Sequence, residues 1–250
     1  MKKILFAAMA LGMCMTSCMN DEFPNAVQYG YINLNVSNNP VMVTRTGGEP
    51  EWQFSATKDG ESYTNIASGA NKVPAGTYTI TAQSHDSEEA ANTLNTYGEP
   101  YFYGQSAETA ISAGESKDVT INCGKAKNSK LTLVNSLNTS VFTNVKLNAT
   151  SPNRVLSLRT ENPSAFYSKG TVVSYNISYI YNGSDAETVI KNGDQDYTIT
   201  IAEAAKDYQI KLTSTDNGNI NVTVTYDNDF GTVEKDFTFD AATGQIATEQ

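Results

Sequence analysis

The sequence is short of the residues on which most catalytic and metal sites depend. Its 250 residues include one histidine, one tryptophan and three cysteines. The single histidine, His85, excludes the common zinc sites, which need several Cys or His ligands, and its polar neighbours are typical of an exposed loop. A carboxylate pair for glycoside hydrolysis cannot be assigned, because any two of the 27 acidic residues could supply it. We therefore expect no catalytic residue, no cofactor and no enzymatic activity.

Basic charge is also scarce. Lysine and arginine together number 17 against 27 acidic residues, which gives a formal net charge of −10 at pH 7. The guanidinium groups are limited to Arg45, Arg154 and Arg159. Binding of a phosphate backbone needs clustered Lys and Arg, so nucleic acid is not an expected partner.

The chain also lacks the run of about 20 apolar residues that a membrane-spanning helix requires. Its longest apolar run, residues 4–13, follows a pair of lysines and precedes Met15-Thr16-Ser17-Cys18. This order is that of an export signal, and the cysteine at the expected cleavage point makes it resemble a bacterial lipobox. We predict a signal peptide over 1–17 and a lipidated acidic tether over 18–27, with the lipid on Cys18 holding the protein to the membrane. The alternative is a conventional signal peptide that is cut elsewhere.

Alternating patterns dominate the rest of the chain and predict an all-β fold. Thr and Asn alternate with β-branched or aromatic residues in segments such as 32–36, 76–81 and 117–123. Cys123 shares a strand face with Val119 and Ile121, so we expect it to be a small buried hydrophobe. Helix is predicted only near residues 88–91, with Ser87 as the cap.

The length of the chain and the position of its turns predict two tandem antiparallel β-sandwich domains of immunoglobulin or transthyretin type. The first spans 28–125 and the second 126–250. Residues 124–129 have no large apolar side chain, and we interpret them as a linker between the domains.

Two further clusters are candidate ligand sites. Asp227-Asn228-Asp229-Phe230-Gly231 begins like a calcium loop, so Asp227 and Asp229 are candidate calcium ligands. The twelfth position is Thr238 rather than a bidentate carboxylate, and a hairpin turn explains the same residues. Trp52, Tyr101 and Tyr103 are candidates for stacking on sugars, the alternative being ordinary strand aromatics.

Several segments together resemble a Bacteroidota lipoprotein family catalogued only as a domain of unknown function. They are a lipobox, an early Tyr-Gly-Tyr-Ile-Asn strand at 29–33, a Pro-Ala-Gly-Thr-Tyr strand entry at 74–78, a Tyr-Phe-Tyr-Gly strand at 101–104 and an Ala-Gly turn at 113–114. The architecture is also similar to that of fimbrillin-type lipoproteins, which are major or minor fimbrial subunits. The resemblance is clearest over residues 28–135.

The resemblance implies a non-catalytic lipoprotein on the outer membrane, facing the cell exterior, that acts in adhesion or as an accessory or anchor subunit of a surface fibre. Its partners would be fibre subunits, joined by β-augmentation. Polymerising fimbrillins are cut after an Arg that follows the first strand, and Arg45 stands at a comparable place, although an exposed loop Arg is the simpler interpretation. The alternative function is binding of host or dietary glycans beside a polysaccharide-uptake system.

Overall fold

The computed structural model describes residues 27–37, 50–215, 218–228 and 231–246. Within these ranges the chain forms 18 β-strands and one short α-helix. The predicted all-β class is confirmed, and the strands form four sheets. Among the described residues, no helix is long and apolar enough to cross a membrane.

Residues 29–122 contain two of the sheets. The elements are β1 (Tyr29–Ser37), β2 (Gln53–Lys58), β3 (Glu61–Tyr63), β4 (Gly69–Pro74), β5 (Gly76–Gln83), α1 (Glu88–Thr93), β6 (Tyr103–Gln105), β7 (Thr109–Ile111) and β8 (Ser116–Asn122). One sheet has the order β4-β1-β8, and the other has β3-β2-β5 with β6 and β7 in turn on the far edge of β5. Helix α1 begins as predicted, because the Ser87 hydroxyl accepts a hydrogen bond from Ala90 N at 3.0 Å.

Residues 128–239 contain the other two sheets. The elements are β9 (Asn128–Asn135), β10 (Phe142–Ser151), β11 (Arg154–Leu158), β12 (Ser164–Ser168), β13 (Val172–Tyr181), β14 (Glu187–Ile190), β15 (Tyr197–Thr200), β16 (Asp207–Ser214), β17 (Ile220–Asn228) and β18 (Gly231–Phe239). One sheet has the order β12-β9-β16-β17-β18, and the other has β11-β10-β13 with β14 and β15 on the far edge of β13.

The two halves repeat one topology. Strands β1 to β8 and β9 to β16 are connected and paired in the same order, so that β1 corresponds to β9 and β8 to β16. In each half the first strand pairs in parallel with the last, which departs from the purely antiparallel array predicted from the hairpin turns. A turn signal reports only the pairing of consecutive strands, whereas these two pairs join strands about 80 residues apart. The second half then adds the hairpin β17–β18 beyond β16.

Each half has its own hydrophobic core, built from the inward positions of the alternating strands. In the first, Ile32, Tyr78, Ile80 and Ile121 are fully buried between the two sheets. In the second, the fully buried residues include Leu131, Leu147, Ile177, Tyr179, Tyr208 and Phe239. Burial of each such side chain stabilises the fold by roughly 1.5–3 kcal/mol. The cores fall on either side of the predicted boundary at residue 125, and the division into two domains stays a prediction.

Candidate functional site

One edge of strand β8 is unpaired among the described strands, whereas the corresponding edge of β16 in the second half is paired. We call this unpaired edge of β8 the open edge. One edge of β8 pairs with β1, from Tyr31 opposite Ser116 to Ser37 opposite Asn122. No described strand pairs with its other edge. The corresponding strand β16 is covered on that side by β17 and then β18. Among the described residues, the first half therefore has no strand at a place where the same topology accepts two more in the second half.

The hydrogen bonds to β1 determine which groups of β8 face outward. Tyr31 N donates to Glu115 O at 2.7 Å, and Cys123 N donates to Ser37 O at 3.4 Å. The main-chain groups of the odd-numbered residues of β8 thus face β1. Those of the even-numbered residues, such as Asp118 and Thr120, face the open edge, because these groups alternate along a strand.

The far end of this edge is crossed by β6. A Cβ added at Gly104 would lie 2.4 Å from the Asn122 carbonyl oxygen and 2.7 Å from the Cys123 sulfur. The glycine of the Tyr-Phe-Tyr-Gly segment is therefore required by the close approach of β6 to β8. This contact covers the end of β8 at Asn122 and leaves the stretch from Ser116 to Thr120 as the open part of the edge.

The aromatic residues predicted to stack on sugars do not form one platform. Tyr101 is only 9% exposed and donates its hydroxyl to Gln83 Oε1 at 3.2 Å, so its ring is not free to stack on a ligand. Trp52 is half-buried and packs on the first core with its ring 6.5 Å from that of Phe102. Tyr103 is half-buried in a separate shallow depression beside Cys123. The three residues were grouped because they are aromatic and lie in the same predicted domain. In the structure their rings occupy three separate environments.

His85 is partly buried beside Ser84, and Cys123 is buried in the first core. The Ser84 hydroxyl lies 2.9 Å from His85 Nδ1 and accepts a hydrogen bond from Phe102 N at 2.9 Å. His85 is half-buried rather than fully exposed as its polar neighbours indicated, and burial lowers its pKa. Cys123 is 1% exposed, and burial raises the pKa of its thiol to about 11. The prediction that Cys123 is a buried hydrophobe is confirmed.

The end of the segment predicted to be a linker belongs to a buried polar junction. Asn128 is fully buried at the start of β9, and its side chain makes three hydrogen bonds. Its amide nitrogen donates to Asn92 Oδ1 at 2.8 Å and to Glu99 O at 2.9 Å, and its oxygen accepts from Tyr101 N at 2.9 Å. Asn92 in turn donates to Ser168 Oγ at 2.8 Å. Within the predicted linker, Asn128 and Ser129 thus satisfy buried groups rather than facing water, whereas Lys125 and Lys127 are exposed.

Arg154 binds the end of α1 to the second half of the chain. Its guanidinium donates to the carbonyl oxygens of Asn92 and Phe166, and to Thr96 O at 3.3 Å. It also lies over the ring of Tyr167, 4.2 Å from the centroid. A cation is stabilised at a helix C-terminus because the free carbonyl groups there carry partial negative charge. Sequence reasoning missed this role, since no periodic pattern marks Arg154.

Three predicted sites lie outside the part of the chain that the structure describes. These are the lipidation site Cys18, the processing site Arg45 and the calcium candidate Asp229. For Asp227 only the backbone is described, in β17 opposite Thr232. Within the described ranges, no group of three or more His, Cys, Asp or Glu residues is placed to hold a metal ion.

Solved structures similar to this chain include bacterial cell adhesion and fimbrial proteins. A candidate cell adhesion protein from Bacteroides ovatus is 14% identical, with a TM-score of 0.40 over 82% of this chain and 97% of that one. A candidate cell adhesion protein from Parabacteroides distasonis is 8% identical, with a TM-score of 0.39 over 76% and 93%. The tip fimbrial protein Mfa3 from Porphyromonas gingivalis is 9% identical, with a TM-score of 0.37 over 84% and 99%. At this level of similarity, their functions do not transfer to this chain.

The family assignment comes from the sequence. No curated protein sequence matches the chain significantly. The model of the family described as Domain of unknown function (DUF4493) matches residues 53–241, well over half of the chain, and the expected resemblance to a family of unknown function is thereby confirmed. The chain belongs to the DUF4493 family.

Proposed function

We propose that this protein is a non-catalytic lipoprotein of the outer-membrane surface that acts in adhesion or as an accessory or anchor subunit of a fimbria-like assembly. The observation that carries the proposal is the open edge of β8, at the position where the repeated topology of the second half holds the hairpin β17–β18. An incoming strand from a neighbouring subunit would occupy the place that β17 occupies beside β16.

The physical mechanism is β-augmentation. The outward main-chain groups of residues such as Asp118 and Thr120 would pair with the incoming strand, and each such hydrogen bond contributes about 0.5–1.5 kcal/mol. The side chains of both residues are exposed, so they leave the approach to the edge open to water and to a partner. Val119 and Ile121 are buried on the other face and hold β8 rigid against the first core.

The proposal is tested by replacing Thr120 with proline. This substitution removes an outward N–H from the open edge and puts a ring in the path of the incoming strand, but it breaks no hydrogen bond to β1. We expect Thr120→Pro to abolish the ladder of covalent adducts that a lysine-reactive crosslinker forms on intact cells. Thr120→Ala, which keeps the N–H, is the matched control and should crosslink like the wild type. An unchanged ladder with Thr120→Pro would refute a role for this edge.

Attachment to the membrane would come from lipid on Cys18. The support is the lipobox-like sequence that ends at this cysteine. We expect Cys18→Ala to remove the incorporation of labelled palmitate and to shift the protein from the membrane to the soluble fraction. Labelled lipid that still enters the variant would contradict the assignment.

Processing after Arg45 is a separate proposal. Strand β1 lies between β4 and β8, and Arg45 follows it in sequence. A cut after Arg45 would therefore separate the central strand of this sheet from the rest of the chain. N-terminal sequencing of the protein from its native cells should then find a species that begins at Thr46. A single species beginning at residue 18, unchanged by Arg45→Ala, would argue against processing.

A further inference from the structure

The second half of the chain contains a cleft beside the short strand β15. The cleft has a volume of about 480 Å³, and its lining includes three aromatic residues, Tyr175, Tyr197 and Phe237, and three polar residues, Asn192, Gln195 and Asp196. None of these residues belongs to the open edge of β8, which lies in the first half. The volume falls within the range of natural small-molecule sites, about 300–1,000 Å³.

The cleft lies where β15 of one sheet comes close to β18 of the other. One sheet continues past β16 to β17 and β18, whereas β15 in the other pairs only with β13 among the described strands. Phe237 and Phe239 are two residues apart and share one face of β18. Phe239 is 1% exposed in the core, but Phe237 is 37% exposed. The core face of β18 therefore emerges into the cleft at Phe237.

The aromatic residues of the cleft pack against one another. The rings of Tyr175 and Tyr197 are stacked, with centroids 5.7 Å apart and planes at 28°. The Tyr197 ring also lies 6.0 Å from Phe237 and 6.3 Å from Phe239. Tyr175 is only 4% exposed, so it forms the rear of the stack, and the half-buried Tyr197 is held in place by its neighbours.

Two of the polar residues of the cleft, Asn192 and Gln195, lie on a tight turn. The backbone groups of Asn192 and Gln195 bond to each other in both directions, at 2.8 and 3.2 Å. Both side chains are exposed and form no hydrogen bond with another side chain or backbone group in the described part of the chain. Asp196 is oriented by Asn176 Nδ2, which donates to its carboxylate at 3.0 Å, and by Lys191 at 3.6 Å.

We propose that this cleft binds a neutral carbohydrate chain. One sugar ring would place its C–H face on Tyr197 and Phe237, while its hydroxyl groups would bond to the amides of Asn192 and Gln195 and to Asp196. Adjacent aromatic faces and planar polar groups match a ring that is apolar on one face and polar at its rim. An anionic ligand would be repelled by Asp196 and by the net charge of −10. The inference does not depend on the assembly function proposed above.

The first step of the test is to measure binding to neutral glycans. The full-length protein, purified in detergent, is applied to immobilised starch, xylan, mannan and desialylated mucin glycans, and binding of a soluble oligosaccharide from any retained glycan is measured by calorimetry. We expect at least one glycan to be retained, with a dissociation constant on the order of 1 mM or below. If none of the immobilised glycans retains the protein, the proposal is overturned.

Two variants and two controls then locate the site. Tyr197→Ala should weaken binding about tenfold or more, because it removes the stacking surface. Gln195→Ala, at an exposed turn where the fold does not depend on the side chain, should weaken binding about fivefold. Tyr31→Ala and Gln105→Ala remove an exposed tyrosine and an exposed glutamine in the first half and should leave binding unchanged.

The readouts separate loss of the site from loss of the fold. Thermal unfolding followed by circular dichroism identifies any destabilisation in Tyr197→Ala, and Gln195→Ala then decides the question in a folded protein. Unchanged affinity in Gln195→Ala together with Tyr197→Ala would refute the cleft as the site. Equal losses in the two control variants would do the same, as would a loss confined to replacement of Trp52 or Tyr103.

Discussion

Removal of the Asn128 side chain should weaken the junction between the two halves of the chain. Asn128→Ala deletes three hydrogen bonds and leaves Tyr101 N, Glu99 O and Asn92 Oδ1 without that partner. All three groups lie in a buried region, where each net hydrogen bond contributes about 0.5–1.5 kcal/mol and an unsatisfied group costs more. We expect a loss of about 2–4 kcal/mol in the free energy of unfolding, a large fraction of the 5–15 kcal/mol typical of a domain.

Urea denaturation with two probes measures this loss and shows where it acts. Fluorescence of Trp52, the sole tryptophan, follows the first core, and far-UV circular dichroism follows the strands of both halves. The predicted loss lowers the transition midpoint by about 1–2 M urea. We expect the two curves to coincide in the wild type and to separate in Asn128→Ala, because the cores are then less strongly coupled.

An exposed asparagine provides the control for this experiment. Asn33 is exposed on β1 and donates to Asp118 Oδ1 at 3.0 Å. Asn33→Ala should change the free energy of unfolding by no more than about 0.5 kcal/mol. A change of that size or smaller in Asn128→Ala would refute the reasoning, since it would mean that the junction contributes little to stability.

Three further outcomes follow from the packing and the buried ionisable groups. Gly104→Ala should lower the free energy of unfolding by about 1–3 kcal/mol in urea denaturation, because the new methyl group would overlap Asn122 O; wild-type stability would contradict the packing. The Cys123 thiol should react with a thiol-specific dye at pH 8 only after denaturation, because burial raises its pKa to about 11 and hides the sulfur; rapid labelling of the native protein would contradict this. Burial raises the pKa of Tyr78 and Tyr175 to about 12, so the folded state keeps protons that the unfolded state releases from about pH 10. Stability should therefore fall from about pH 10 to 12, by about 1.4 kcal/mol per pH unit for each tyrosine, and equal urea midpoints at pH 8 and 11 would exclude this linkage.

The faces of the strands could be predicted from the sequence, but their partners could not. Alternation identified the inward positions of β1, β5 and β8, and Ser87 was correctly placed as the cap of α1. Period two reports which side chains point inward and carries no information about which strand lies alongside. The parallel pairing of β1 with β8 therefore appeared only in the structure, and so did the repeat of the topology and the open edge that it reveals.

The polar and aromatic sites were harder to predict for a different reason. Asn128 looks like a linker residue in sequence, because composition cannot distinguish a solvated amide from one that satisfies buried groups. Tyr197 and Phe237 are 40 positions apart, on strands of different sheets, and they meet only in the folded protein. Trp52 packs against the first core, and Tyr101 is buried with its hydroxyl bonded to Gln83. Neither environment can be predicted from aromatic character alone.

The proposed function depends on the open edge of β8 receiving a strand from another subunit. To test this, a photo-crosslinking amino acid replaces Asp118 in the protein expressed in its native bacterium, and the adducts formed on illumination are identified by mass spectrometry. Lys211 is the matched control, because it is exposed on β16, both edges of which are already paired. We expect protein adducts at Asp118 that join extended segments of a partner subunit, and none at Lys211. No adduct at Asp118, or equal adducts at both positions, would contradict it.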